Sequence, residues 1–562
     1  MKTLLKNGRV VDVFNNKISV QDVLIDGDTI ISVGENIKEK ADQTVDLLGK
    51  FVCPGFIDGH IHIESTLLSP PEFAKAVVPH GTTTVVADPH EIANVCGKAG
   101  IEYMLNATEN LPLTVYFMMP SCVPATPFCE SGAVLEWQDI EEFYSHERVL
   151  GLGEVMNYVG VINKDPALLR KIDSAKQKNL VINGHAPLLS GKDLDDYISA
   201  GIGDDHECSN VSEALEKAQK GQWIMIRQGT AAKNLKDLSP LFDSEYSHRC
   251  MLVTDDKCSE DLLKEGHLDN TLRLAVGYGK DAITAIKMAT VQVAERYGLK
   301  DVGAICKGYK ADIVVLEDLQ NFTAHSVYKG GIKVAQNGRL LQTIKSPKNE
   351  LEQAVRKSFN LDELSEKDFI IDCNEKRTCR VIGANKDSLI TDCKHVQIDF
   401  SKANGIDADK DLLKIAVVER HNATRHIGLG FITGVDMKSG AIASSVSHDS
   451  HNLVIIGTNE KDMVIAGNKI RELGGGNVVV KDGKVLAQMP LPIAGLTSDK
   501  SARTIVKQNK LIRESLKEVG IADGYNPFML MSFVGLPVIP HLKLTTKGLI
   551  DVANQIKVSL FV

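Results

Sequence analysis

The sequence predicts an α/β chain built around a (β/α)8 TIM-like barrel. A small β-sandwich domain made from both flanking segments and a C-terminal α+β domain complete the expected architecture. Three observations lead there. Between residues 54 and 302, eight apolar runs alternate with amphipathic helical windows, the pattern of a barrel of roughly 250 residues. Short strand-like segments precede that stretch and return after it. A third region, 365–562, then mixes strands and helices in a chain of 562 residues, too long for one compact core.

Residues 1–53 contain KNGRVVDVF, QDVLIDGDTIISVG and TVDLLGKFVCPG, which alternate apolar and polar and break at Asn-Gly, Asp-Gly and Leu-Gly. After residue 303, GAICKGYKADIVVLED and VYKGGIKVAQNGRLL repeat that vocabulary. Both halves carry an NGR triplet, at 7–9 and 337–339, expected to turn. Residues 1–53 and 303–345 are therefore predicted to form one small β-domain. The enclosed runs are GFIDGHIH, TTTVVADPH, LTVYFMMPS, VLGLGEVMN, LVINGHAP, GIGDDHE, WIMIRQG and CMLVTDD. A doubly wound open sheet is the alternative, but no G-x-G-x-x-G follows the first strand. Residues 346–364 read as a charged helical connector. In 365–562, FIIDC, HVQIDF, IAVVER and VVVKDGKVLAQM read as strands, with the glycine triplet at 474–476 and PLPIAG as turns.

Hydrophobic content of 43% and charged content of 24% are ordinary for a globular protein. A net charge of −9, without a basic block, argues against a nucleic-acid surface. The N-terminus alternates like a strand and lacks a signal-peptide core. No run reaches about 18 apolar residues, so no membrane span is expected. Eleven scattered cysteines with no C-x-x-C pair fit reduced thiols in a cytoplasmic protein.

Polar residues at the C-terminal ends of barrel strands converge on one mouth. Here those ends supply His60 and His62, then Asp88, His90 and Glu91, then Glu154, His185, His206 and Asp255. Two residues apart on an extended strand, His60 and His62 point the same way and can share one cation. Unpaired imidazoles and carboxylates in one mouth would suffer desolvation and mutual repulsion, which a pair of divalent cations offsets.

In this order the residues resemble the amidohydrolase superfamily of metal-dependent hydrolases, as does PGFID before the histidine pair. Many binuclear members bridge their metals with a carbamylated lysine after the fourth strand. This chain has Glu154 there, in GLGEVMN, which points away from dihydroorotase- and dihydropyrimidinase-like hydrolases. ADPHEIANVCG, GHAPLLSG, DDHECSN, VTDDK, RHNATRHIGLGF and SSVSHDSHN resemble segments of the long-form bacterial adenine deaminases, across essentially the whole chain. The H-x-E with P-C-x-x-C signature of the other zinc deaminase fold is absent.

The resemblance implies hydrolytic deamination of adenine to hypoxanthine and ammonia, with adenine and water as small-molecule substrates. It implies two divalent metal ions, Mn(II) or Fe(II) favoured and Zn(II) compatible with the same ligands. His60, His62 and Asp255 would hold one metal, His185 and His206 the other, with Glu154 between them. Asp255 would also carry a proton towards the leaving ammonia. Asp88, His90, Glu91 and Arg227 are expected near the purine, although Asp88 is equally read as a helix start and Arg227 as a structural ion pair. His448, Asp449 and His451, in SHDSHN, would cap the mouth or bind a further ion, or form a polar turn. Glu64 would orient a ligand or line the pocket. Cys96, Cys208 and Cys258 read as small buried side chains. Barrel enzymes of this size are often oligomeric, so a homo-oligomer such as a dimer is expected. The rival readings are another amidohydrolase reaction on a cyclic amide or amidine, and a non-catalytic scaffold.

Overall fold

The computed structural model describes residues 1–344, 350–386 and 388–562. All eight runs between 54 and 302 contain a strand: Phe56–Ile61, Thr82–Ala87, Thr114–Met119, Val149–Val155, Val181–Gly184, Asp204–Asp205, Trp223–Arg227 and Cys250–Val253. Every ladder among them is parallel. The first five form one sheet and the last three another. The two sheets meet at both edges. The Gly203 N–H donates to Ile182 O at 3.1 Å, and Ile61 bridges Asp255 in parallel. Asp58, fully buried in PGFID, reinforces that second seam by accepting from the Thr254 hydroxyl at 2.5 Å and its N–H at 3.2 Å.

Helices separate most strands because the intervening windows bury one stripe. Pro166–Gln177 starts with proline after Asp165, whose side chain accepts from the Ala167 and Leu168 N–H groups, an N-cap of the favoured type. It buries Leu168, Ile172 and Ala175. Gly151 permits the close approach of the fourth and fifth strands: a Cβ there would stand 1.8 Å from Val181 O.

The flanking segments pair directly with each other. Phe51–Pro54 runs antiparallel to Ile313–Leu316, so the chain on either side of the barrel joins one nine-stranded sheet. Leu5, Val23, Ile25, Val52, Ile313 and Val315 share its core. The two NGR triplets behave differently. Residues 337–339 connect two strands as expected. Residues 7–9 instead lie inside the long strand Lys2–Asp12, as a bulge with Asn7 at φ 58°. Gly8 is required there because a Cβ would meet Val52 at 2.5 Å.

Beyond residue 350 the helical connector is shorter than expected: only Glu352–Arg356 is helical, and 346–349 lie outside the described residues. FIIDC is not a strand. A 3-10 turn, Glu366–Phe369, ends on its first residue, and Phe369 and Ile371 are anchored in two separate cores. Its alternation records anchoring rather than pairing. HVQIDF, IAVVER and the Asp482-Gly483 hairpin do form strands, within an eight-stranded sheet. Glu460–Leu473 and Ala502–Glu518 pack on that sheet, and a three-stranded sheet closes the chain.

Candidate metal centre

The strand ends bring His60, His62, Glu154, His185, His206 and Asp255 into one cluster, buried except for the half-buried His185. Asp255 Oδ1 lies 3.4 Å from His60 Nε2 and 3.2 Å from His62 Nε2, so both imidazoles do face the same way. Glu154 sits between two sides. Its Oε1 is 3.2 Å from His62 Nε2, and its Oε2 is 2.7 Å from His185 Nδ1 and 3.2 Å from His206 Nε2. Asp255 adopts the left-handed region at φ 57° and is pinned by its N–H to His60 O at 2.9 Å. A non-glycine residue held there is a strained position of the kind found at functional sites.

The donor set fits divalent cations. His62 Nδ1 lies 3.0 Å from the carbonyl oxygen of Asp88 and can only donate to it. That fixes the tautomer, leaving the Nε2 lone pair aimed into the cluster, the outer-shell arrangement that prepares an imidazole for a metal. His60 Nε2 is buried without a hydrogen bond. Ligand atoms of His60, Glu154 and His206, and of His60, His62 and Asp255, lie within 4.8 Å of one another. Burial alone would raise the Glu154 carboxyl, but His206, His185 and His62 hold it well below its usual range.

Three of the four residues expected around a purine, Asp88, Glu91 and Arg227, are engaged with the protein. Asp88 accepts from the His90 N–H at 3.2 Å and the Glu154 N–H at 3.1 Å, and His90 opens the helix His90–Ala107; the helix-start reading of Asp88 describes this structure. Arg227 donates from Nη1 to Asp255 Oδ2 at 2.9 Å and from Nη2 to Glu207 Oε2 at 3.1 Å. Glu91, 1% exposed, is bound by His448 Nδ1 through one oxygen and by His451 Nε2 through the other. His451 Nδ1 accepts from the Ser447 N–H at 3.2 Å, so Nε2 carries the proton and His451 donates it to Glu91. Burial would depress His448, but Glu91 brings it up to about 9, whereas burial takes His451 down to about 4. The trio is thus a carboxylate, a cation and a neutral imidazole: a clamp between the barrel and the C-terminal region. Asp449 lies beside it, buried, with Oδ1 3.8 Å from His90 Nε2.

The cluster also contains groups the strand-end argument did not single out as ligands. His90 Nδ1 is 3.5 Å from Glu154 Oε1 and forms a ligand-spaced group with His62 and Glu154. Glu207 forms another with His185 and His206. Its position next to His206 in DDHECSN was the available signal. Glu64 accepts from the Ile92 N–H at 3.2 Å, and burial pushes its carboxyl up to about 7. Cys208 is buried against Asp205, while Cys258 is half-buried.

Residues 51–338 match the amidohydrolase family, and residues 388–556 match the adenine deaminase C-terminal domain. Adenine deaminase 2 of Carboxydothermus hydrogenoformans is 45% identical over 98% of this chain and 95% of its own length. The adenine deaminase of Desulfatibacillum aliphaticivorans is 44% identical over 99% and 97%, respectively. That of Bacillus velezensis is 41% identical over 98% and 95%. Similarity of this extent, running through barrel and C-terminal region alike, makes the chain a member of the amidohydrolase family, in its adenine deaminase branch.

Proposed function

We infer that the protein hydrolyses adenine to hypoxanthine and ammonia. The observation that carries this reading is the convergence of six imidazole and carboxylate side chains at successive strand ends, in a chain alike to adenine deaminases over nearly its whole length. In the reaction a C6–O bond forms with water, the C6–N bond breaks, and the amine departs as ammonia with protons originating from water. Two divalent cations, when bound, supply Lewis acidity and make water a competent nucleophile at neutral pH.

His60, His62 and Asp255 would hold one cation and His185 and His206 the other, with Glu154 reaching both. Asp255 would also act in proton transfer, its carboxylate oriented by Arg227, which donates to Oδ2. The Glu154 backbone is held by Asp88, which keeps its carboxylate between the two histidine sides. Mixed imidazole and carboxylate donors suit Mn(II), Fe(II) or Zn(II).

We read the eight strands as one closed (β/α)8 barrel over 54–302, supported by the contacts at both sheet edges. Residues 1–53 with 303–345 would be its β-sandwich partner, 346–364 the connector and 365–562 the α+β domain. The free state of all eleven cysteines supports a cytoplasmic location. No described helix is long and apolar enough to cross a membrane.

The test is incubation with adenine after reconstitution in turn with Mn(II), Fe(II) and Zn(II), reading hypoxanthine by absorbance and ammonia by a coupled assay. Metal-loaded protein that releases neither product would overturn the reading.

A further inference from the structure

A cavity of about 370 Å³ opens at the seam between the barrel mouth and the C-terminal region. Its barrel wall includes Ser65, three residues past His62, Thr230 after the seventh strand, and Asp256, next to Asp255. Active sites of such barrels are built from these strand-end loops. The opposite wall comes from the C-terminal region, with Asn477, Met529 and Phe533. The other large cavities described are lined wholly by residues beyond 369, whereas this one reaches the strand-end loops through Ser65, Thr230 and Asp256, each close in sequence to a clustered side chain or a strand end.

The chemistry of the walls suits a flat heteroaromatic ring. Phe533 and Met529 offer apolar surface, and Phe533 already stacks on the His448 imidazole at 4.6 Å between centroids and 20° between planes. Asp256 accepts from the Ser65 hydroxyl at 2.5 Å through Oδ1 alone, so Oδ2 remains to accept a ring N–H. Asn477 uses its Oδ1 on the Ser444 hydroxyl at 2.8 Å, which leaves its amide N–H groups as donors for a ring nitrogen. The lining thus combines apolar surface with many polar groups, Glu260, Asp261 and Arg513 among them, and convergent polar groups beside apolar surface are what orient a small molecule in its site. The groups expected at the purine from strand-end position, Asp88, Glu91 and Arg227, have protein partners instead.

We propose that this seam cavity is the purine-binding pocket, so that the C-terminal region supplies half of the substrate site. The inference rests on the adenine reading above. The Glu91 clamp then has a purpose: it holds the 447–451 turn, and with it His448 and the stacked Phe533, against the barrel. His448 is further tied by its N–H to Ser532 O at 2.7 Å, in the stretch that forms the far wall.

The experiment uses the full-length, Mn(II)-reconstituted protein. Met529→Trp fills the cavity from the C-terminal side. Its kcat/KM for adenine is expected to fall at least tenfold, with bound metal and melting temperature unchanged. Asn477→Ala removes a donor without adding bulk and is expected to raise KM with little change in kcat. A second measurement needs no variant. Cys258 lines the cavity while Cys393 is exposed elsewhere, so hypoxanthine should slow iodoacetamide labelling at Cys258 and leave Cys393 unaffected. Wild-type turnover of adenine combined with normal kcat/KM in Met529→Trp and unprotected Cys258 overturns the pocket while leaving the activity intact. Absence of adenine turnover in the wild type overturns the parent reading instead.

Discussion

Glu154 meets imidazoles on two sides through its two oxygens, so replacing it with glutamine removes charge while keeping shape. Glu154→Gln is expected to lower bound metal and cut kcat by about 100-fold or more, because the anion that joins both sides is lost. Elemental analysis beside the kinetic assay checks this; full metal at full rate would end the bridging role. Asp255→Asn keeps the Arg227 contact but loses a basic oxygen, and kcat should drop about 10²–10⁴-fold. Near-normal turnover would remove Asp255 from proton transfer. Far from the centre, Lys543 is fully buried, its ammonium meeting, among the described residues, only Leu389 O at 3.1 Å, and burial lowers its pKa from 10.5 to about 7. Since the unfolded chain binds that proton more tightly, stability should rise with pH between about 7 and 10.5. Lys543→Met should therefore stabilise the protein by about 1–4 kcal/mol at pH 7, with the gain shrinking at pH 9. Urea midpoints at the two pH values measure it, and an equal gain at both would refute the buried-lysine account.

Strand and helix pairings decide which of these groups can meet. Gly151 lets the fourth strand, which carries Glu154, lie close against the fifth, which ends at His185. Gly151→Ala should cost about 1–3 kcal/mol or more by forcing that pair apart, and lost activity should accompany lost stability. The Glu91 clamp works between elements as well. It joins the first turn of His90–Ala107 to the 447–451 turn across more than 350 positions of sequence. Glu91→Gln leaves the His448 cation without its anion and should destabilise by about 3–5 kcal/mol. Loss of the clamp should also raise KM for adenine at conserved metal content; an unchanged KM would reduce Glu91 to a stabilising contact. The bulge at Asn7 shows the limit of local signals. Asn-Gly suits both a hairpin turn and a positive-φ bulge, and only the neighbouring Val52 side chain selects the second.

Across the whole molecule, the metal centre is a meeting point of the two edges where the sheets join. The first strand reaches Asp255 through the Ile61 bridge, and Asp58 and Thr254 lock the same seam. Cations bound there stabilise only the folded chain. Stripping metal with a chelator should lower the thermal midpoint by several degrees, and Mn(II) should restore it together with activity. An unchanged midpoint would mean that the hydrogen bonds among the six side chains suffice without metal. The C-terminal region is tied to the barrel here: Ser498 O accepts from the Ser69 N–H and the Ser498 N–H donates to Leu67 O, both at 2.9 Å, and Arg513 pairs with Glu260.

The sequence by itself determined the order of eight strands, the six strand-end side chains and the return of the chain to its first sheet. Each is a local pattern, an apolar run closed by a polar residue, that period-2 and period-3.6 reading detects. It did not reveal that FIIDC is unpaired, that Glu207 joins the cluster, or that Glu91 is engaged by protein groups, and it left open whether Asp88 and Arg227 face a substrate or the protein. Those facts depend on which side chains from distant segments reach one another, and on buried polar groups having to find partners inside the fold. Tertiary structure alone decided that His448 and His451, far beyond the barrel, close on Glu91. Burial of that carboxylate demands donors, and the C-terminal region is where the fold supplies them.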